Sequence, residues 1–265
     1  MLRKVQGNRL RTGIAGGGVA FLPESLALFA RFTTPPTLTR MVLINTLISS
    51  LVTAGVWSKL DAFYMLAAED SQAARQNWIA DQYNLTAVSG PTFTADRGYA
   101  GDGAASYLST GFNPATAVTP KFVQDSGSLG VWSRTNLPNG AAVSAEIGSG
   151  NSYTGRSATI STNAAGRPNA ASGVMNTPGA FPGHDCWSRT AAAVWEGYAQ
   201  GVDADGGVTA SAAPSNAVMR LCAAVGIGFG LNQIAGAHIG QGLSAAEVLA
   251  TFNAMNIYLQ AVGAA

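Results

Sequence analysis

What most constrains the fold of this chain is the change of pattern after Tyr83. From there on, short runs rich in Val, Ile, Thr, Tyr and Trp alternate with clusters of Gly, Asn, Pro and Ser. The spacing predicts strands at 84–88, 106–110, 129–135, 142–147, 158–162, 170–175, 187–190, 194–200, 218–225 and 234–239. Many short strands with frequent turn signals argue for an antiparallel sandwich or barrel. No strand–helix alternation survives in this region, which excludes a doubly wound nucleotide-binding fold.

The segments before and after it read differently. Residues 1–36 have no sustained period, and Arg3, Lys4, Arg9 and Arg11 precede the Gly16-Gly17-Gly18 run, as in an arm that orders against a partner or a loose terminus. Residues 37–82 read as two or three short helices. Met41, Ile44, Leu47, Ile48, Leu51 and Val52 recur at helical spacing, Ser58-Lys59-Leu60-Asp61 has the form of a capping box, and Phe63, Leu66 and Ala67 extend an apolar face. Residues 83–265 form the expected sandwich, closing with a helix over 244–260. Its capping box is Ser244-Ala245-Ala246-Glu247 and its apolar side is Val248, Leu249, Phe252, Met255 and Leu259. Asp102 between Gly101 and Gly103 suits a tight turn, and Asp203-Ala204-Asp205-Gly206-Gly207 reads as a hairpin tip between Tyr198 and Val208.

Composition narrows the function. Charged residues make up 11% of the 265 residues, against about 25% in an ordinary soluble domain. A surface so poor in charge is expected to lie against neighbouring subunits. The net charge of +1 provides no field to draw in nucleic acid. The most hydrophobic stretch, 41–56, contains Asn45, Thr46, Ser49, Ser50 and Thr53 and falls short of a bilayer crossing, and no leader pattern marks export, so synthesis in the cytoplasm without membrane insertion is expected.

Reactive groupings are sparse. The five glutamates are isolated; Glu146 and Glu196 fall on expected strands, where a pair across a groove would suit glycan cleavage, but a solvated strand-face carboxylate is the plainer reading. Asp203 and Asp205 fall short of a calcium loop. His184-Asp185 is no dyad, because adjacent residues on an extended chain face opposite ways, and His238 between Ala237 and Ile239 reads as structural. Gly226-Ile227-Gly228-Phe229-Gly230 opens no helix and reads as a loop. Cys186 and Cys222 read as unpaired thiols; a sharper alternative places both on the wetter strand faces, Cys222 beside Arg220 and Ala224, for links between subunits. Trp132, Trp187, Trp195, Tyr107, Tyr153 and Tyr198 are either sandwich core or a sugar-stacking platform. The expectation is therefore no catalytic, cofactor-binding or metal-binding residues, and no enzyme.

Several segments, in order, carry a resemblance. They are Ala27-Leu28-Phe29-Ala30-Arg31-Phe32-Thr33-Thr34-Pro35-Pro36 running into Val56-Trp57-Ser58-Lys59-Leu60-Asp61, then Trp78 through Tyr83-Asn84-Leu85-Thr86-Ala87-Val88. Phe93 through Tyr99, Gly101-Asp102-Gly103, Ser106-Tyr107-Leu108 and Thr110-Gly111-Phe112-Asn113-Pro114 follow. Ser188-Arg189-Thr190 leads to Tyr198 and Gly201, and His238-Ile239-Gly240 precedes Leu243-Ser244-Ala245-Ala246-Glu247-Val248 and Tyr258-Leu259. Together they resemble phage and prophage virion structural proteins with a concanavalin A-like (laminin G-like) jelly roll, over nearly everything after residue 26. The resemblance implies a mainly β, antiparallel concanavalin A-like sandwich with an N-terminal helical segment and a C-terminal helix. It further implies a virion component, in a tail, a fibre or the head surface. A host-surface glycan-binding receptor module and a glycan-degrading enzyme are the alternatives.

Overall fold

The structure is a computed structural model that describes residues 19–136, 143–157, 163–170, 175–178 and 182–265. Its helices are α1 (Pro23–Phe29), α2 (Leu38–Thr53), α3 (Ser71–Ala74) and α4 (Ala245–Ala261). Its strands, in chain order, are β1 (Leu60–Met65), β2 (Thr86–Val88), β3 (Thr92–Thr94), β4 (Gly98–Ala100), β5 (Tyr107–Ser109), β6 (Gly127–Ser133), β7 (Val143–Ser149), β8 (Ser152–Ser157) and β9 (Asn163–Arg167). They continue with β10 (Met175–Pro178), β11 (Gly183–Arg189), β12 (Val194–Ala199), β13 (Val202–Val208), β14 (Arg220–Leu221), β15 (Ala223–Ala224), β16 (Gly228–Phe229) and β17 (Gln233–Gly240).

The strands form two stacked antiparallel sheets. The first runs β13-β12-β11-β6-β17-β4-β3, with β1 also on β17; the second runs β10-β9-β8-β7-β14-β5-β2, and β15 and β16 make a separate small hairpin. Strand β17 is long enough to pair with β4 through Gln233 and Ile234 and with β1 through Gly236–Gly240. Ala62, Tyr64, Leu129, Val131, Ala237 and Ile239 of the first sheet pack against Leu108, Ile147 and Leu221 of the second. The sandwich expected from the sequence is the fold observed.

Helices add a third layer. Ile44, Leu47, Ile48 and Leu51 line the buried side of α2, the three- and four-residue spacing of one helix face. Thr37 caps α2 by accepting the Arg40 N–H. In α4 the Glu247 carboxylate accepts the Ser244 backbone N–H, as its capping box implies. Both helices lie on the outer face of the first sheet, in one cluster with Phe63, Met65, Trp132, Cys186 and Tyr198.

Three sequence readings are corrected. The helical reading of 37–82 fails over Leu60–Met65, which is a strand of the first sheet. Phe63 and Met65 face the helices while Ala62 and Tyr64 face the second sheet, so every residue is buried and the two-residue alternation that marks a strand is erased. Ser58 to Asp61 is accordingly no capping box: Trp57–Lys59 is a single 3-10 turn, and the Asp61 carboxylate instead accepts the N–H groups of Lys121 and Phe122. Finally, the tip between β12 and β13 is Gln200-Gly201, at φ 53° and 76°, and the stretch Asp203–Gly207 lies along β13. The expected arm includes α1, within 23–29; residues 1–18, the strand at 158–162 and most of that at 170–175 lie outside the described residues.

Candidate functional site

The two carboxylates that carried the glycosidase alternative are held apart by their partners. A register shift between Ala145 and Ile147 interrupts the β7–β8 ladder, and Glu146 sits at that bulge. Its carboxylate points between the sheets. There it accepts from Ser133 Oγ at 2.6 Å, Asn232 Nδ2 at 3.0 Å and Arg156 Nε at 3.0 Å. Arg156 bridges on to Asp185, and all three charged side chains are at most 2% exposed. Glu146 is thus a buried ion-pair partner and not the solvated strand-face group expected. Glu196 lies on β12, where its carboxylate accepts the Tyr198 hydroxyl. Glu146, Arg156 and Asp185 are each buried between the sheets.

The histidines meet. In the first sheet His238 pairs with Gly130, and His184 pairs with the neighbouring Trp132, so the two rings approach diagonally over Gly130. Their Nε2 atoms are 3.2 Å apart. A Cβ at Gly130 would lie 1.9 Å from His238 Nε2, so only glycine leaves room for the crossing. Trp132 stacks on Phe252 of α4 with a 5.7 Å centroid separation and an interplanar angle of 6°, which closes the pair off from water. Burial pushes both imidazoles down, His238 to about 4 and His184 further helped by its neighbour. Two neutral rings therefore share one N–H···N hydrogen bond. His184 faces the helices while the adjacent Asp185 faces the second sheet, so the pair is no dyad. Among the described residues no three His, Cys, Asp or Glu side chains gather as a metal would require.

The cysteines do not reach a wet face. Cys186 packs with the helical layer and Cys222 with the core between the sheets, both fully buried. Burial pushes both thiols up, Cys222 to about 12, so neither is a ready nucleophile. Cys222 adopts φ 61° between β14 and β15, and this kink turns its side chain away from the face it was expected to share with Arg220.

Of the six aromatics singled out, Trp132, Trp187, Trp195, Tyr153 and Tyr198 are buried and Tyr107 is half-buried. Tyr107 belongs to the outer face of the second sheet. Leu108 and Leu221 point into the core, so their neighbours Tyr107, Ser109 and Arg220 point out. The ladder aligns Thr86, Ser109, Arg220, Gly148, Tyr153 and Arg167 in one row across six strands. The Arg220 guanidinium lies over the Tyr107 ring, 4.2 Å from its centroid, with Phe229 of the small hairpin 6.3 Å from the same ring. Arg167 lies 5.5 Å over Tyr153, which the same hairpin partly covers through Ala224 and Ile227. Sequence reasoning had Tyr107 but not Arg220 as its partner. The alternation with Leu221 was the available signal.

No family model matches this chain, and no curated protein matches it. Solved structures match in fold. The botulinum neurotoxin serotype D binding domain superposes with TM-score 0.50 at 9% identity, over 74% of this chain and 52% of that one. Trypanosoma rangeli sialidase in complex with 2,3-difluorosialic acid gives TM-score 0.50 at 9% identity, over 83% of this chain and 40% of that one. Domain 4 of AbnA, a GH43 extracellular arabinanase from Geobacillus stearothermophilus, in complex with arabinotriose, gives 0.49 at 15% identity, over 73% of this chain and 98% of that one. This chain thus spans about half or less of the toxin domain and the sialidase. The likeness is one of fold: antiparallel sheets stacked as a sandwich.

Proposed function

We propose that this chain is a structural component of a bacteriophage particle, in a tail, a fibre or the head surface, whose sandwich makes contacts and performs no catalysis. The observation that carries this reading is the unequal treatment of the two outer faces. Helices α2 and α4 cover the first sheet, while Thr86, Ser109, Tyr107 and Arg220 on the second sheet remain at least partly accessible. Such a layering suits docking through the helical side and presentation through the other. The segment-by-segment resemblance to virion proteins and the 11% charged composition point the same way. No helix is long and apolar enough to cross a membrane among the described residues. The test is mass spectrometry of purified particles. Stoichiometric copies of the chain are expected, and its absence from intact particles overturns the reading.

Contact with a host-surface polysaccharide is a compatible second role, favoured by the half-buried arginine–tyrosine pair on the second sheet.

A further inference from the structure

We propose that the outer face of β2, β5 and β14 is a binding site for a carboxylated glycan, with Arg220 as the group that grips the carboxylate. The proposal deepens the reading of the sandwich as a contact module and rests on it.

An arginine stacked on an aromatic ring spends the face of its guanidinium and keeps its in-plane N–H donors free. Arg220 is stacked in this way on Tyr107, at 4.2 Å, and no acidic side chain among the described residues pairs with it. Arg31, Arg40 and Arg189 are held differently, by hydrogen bonds. Arg31 is spent on four backbone carbonyls, Arg40 on Asp96 and Tyr258, and Arg189 on Pro168, Ala191, Ala192 and Thr209. Contact with the ring restrains the Arg220 side chain before any ligand arrives, which lowers the ordering cost of binding. A planar fork with free parallel donors matches a carboxylate in bidentate fashion.

The surroundings select a sugar rather than a peptide or a nucleic acid. Ser109 lies directly opposite Arg220 in the ladder, and Thr86 directly opposite Ser109. Neither hydroxyl takes a hydrogen bond among the described residues. The three side chains form a straight row spanning two strand spacings, about 10 Å, comparable to a disaccharide. Hydroxyls that both donate and accept suit sugar hydroxyls, and the half-buried Tyr107 ring lies beside the row as an apolar edge for the sugar's C–H groups. With a net charge of +1 there is no extended positive field such as a polyanionic backbone needs. One fixed arginine among hydroxyls and rings recognises one carboxylate in a hydroxylated frame.

The test uses the full chain in titration calorimetry with a galacturonate oligosaccharide, its methyl ester and a polyglutamate of equal charge, together with an array of other uronate- and sialate-bearing glycans. Binding to at least one carboxylated glycan is expected. Esterifying that glycan's carboxylate, or changing Arg220→Gln, should weaken binding at least tenfold, with Ser109→Ala giving a smaller loss. The ester comparison uses the unaltered protein, so it does not depend on how any variant folds. Equal binding of the ester, polyglutamate bound as tightly as the glycan, or no carboxylated glycan bound across the array overturns the proposal. Particle mass spectrometry separates the two failures. A chain present in particles that binds no acidic glycan ends this inference alone, and a glycan-binding chain absent from particles ends the virion reading alone.

Discussion

Arg156 and Arg220 belong to one sheet and face opposite ways, and everything that separates them follows from what lies over each face. Arg156 points into the sandwich at 2% side-chain exposure, where a guanidinium without counter-charges would be prohibitively desolvated, and Glu146 and Asp185 meet it there. Arg220 points out, meets no carboxylate among the described residues, and rests on Tyr107. The first sheet's outer face shows a third solution. Under α4 there is no counter-charge in contact with His184 and His238, and the rings stay neutral and bond to each other. Buried charges are thus paired as ions, as at Arg156, or held by backbone carbonyls, as at Arg189, and the buried imidazoles are stripped of charge. On the open face Arg220 has no acidic partner among the described residues.

The largest expected effect comes from breaking the inner side of that contrast. Arg156→Ala removes the cation from between Glu146 and Asp185 and leaves two carboxylates in the interior, so a loss of about 3–5 kcal/mol in urea unfolding is expected. A loss below about 1 kcal/mol would show that water reaches the cluster, and with it that the interior is not sealed.

Next comes the sealed helical face, probed with acid. His238 titrates near 4 in the folded chain against an ordinary value of 6.5, and His184 is lowered in the same direction. Between those values the unfolded chain binds more protons than the folded one, so stability rises with pH through this window. The contribution is fully present above 6.5 and is lost as pH falls towards 4, by roughly 3 kcal/mol for a shift of the size at His238. Urea unfolding at pH 7 and at pH 4.5 measures the loss, and a His184→Phe, His238→Leu double variant should lose distinctly less over the same interval. If wild type and double variant fall by equal amounts, the histidine pair is not what acid attacks.

What was legible in the sequence follows the same division between one-sided and two-sided burial. Helices α2 and α4 have one apolar side each, so Ile44, Leu47, Ile48 and Leu51, and the Ser244–Glu247 cap, announced them. Asp102 likewise announced its turn, its carboxylate accepting the N–H groups of Ala104, Ala105 and Ser106. Strand β1 was hidden because both its faces are buried, and a run that is apolar throughout has no period to read. Strand β13 was hidden for the opposite reason. As an exposed edge it carries Asp203, Asp205, Gly206 and Gly207, residues that guard an edge against pairing but spell a turn when read alone. The clusters depend on register. Glu146 enters the core through a bulge, and the histidines meet across strands 54 residues apart, so neither is visible before the ladders are known.

The smallest stability effect belongs to the open face, and it is the one that makes the contrast sharp. A half-buried guanidinium over a tyrosine contributes about 1 kcal/mol, and no buried partner among the described residues is orphaned when it is removed. Arg220→Gln should therefore shift the urea midpoint by little, with the unfolding slope unchanged, while Arg156→Ala moves it by several-fold more. The difference between the two variants is the informative quantity, since both delete one positive charge from the same sheet. Comparable losses would mean that Arg220 serves the fold from the outside much as Arg156 does from within, and its free donors would then be a by-product of packing. A near-silent Arg220→Gln leaves an arginine that the fold positions without needing, which is the condition a recognition residue has to meet.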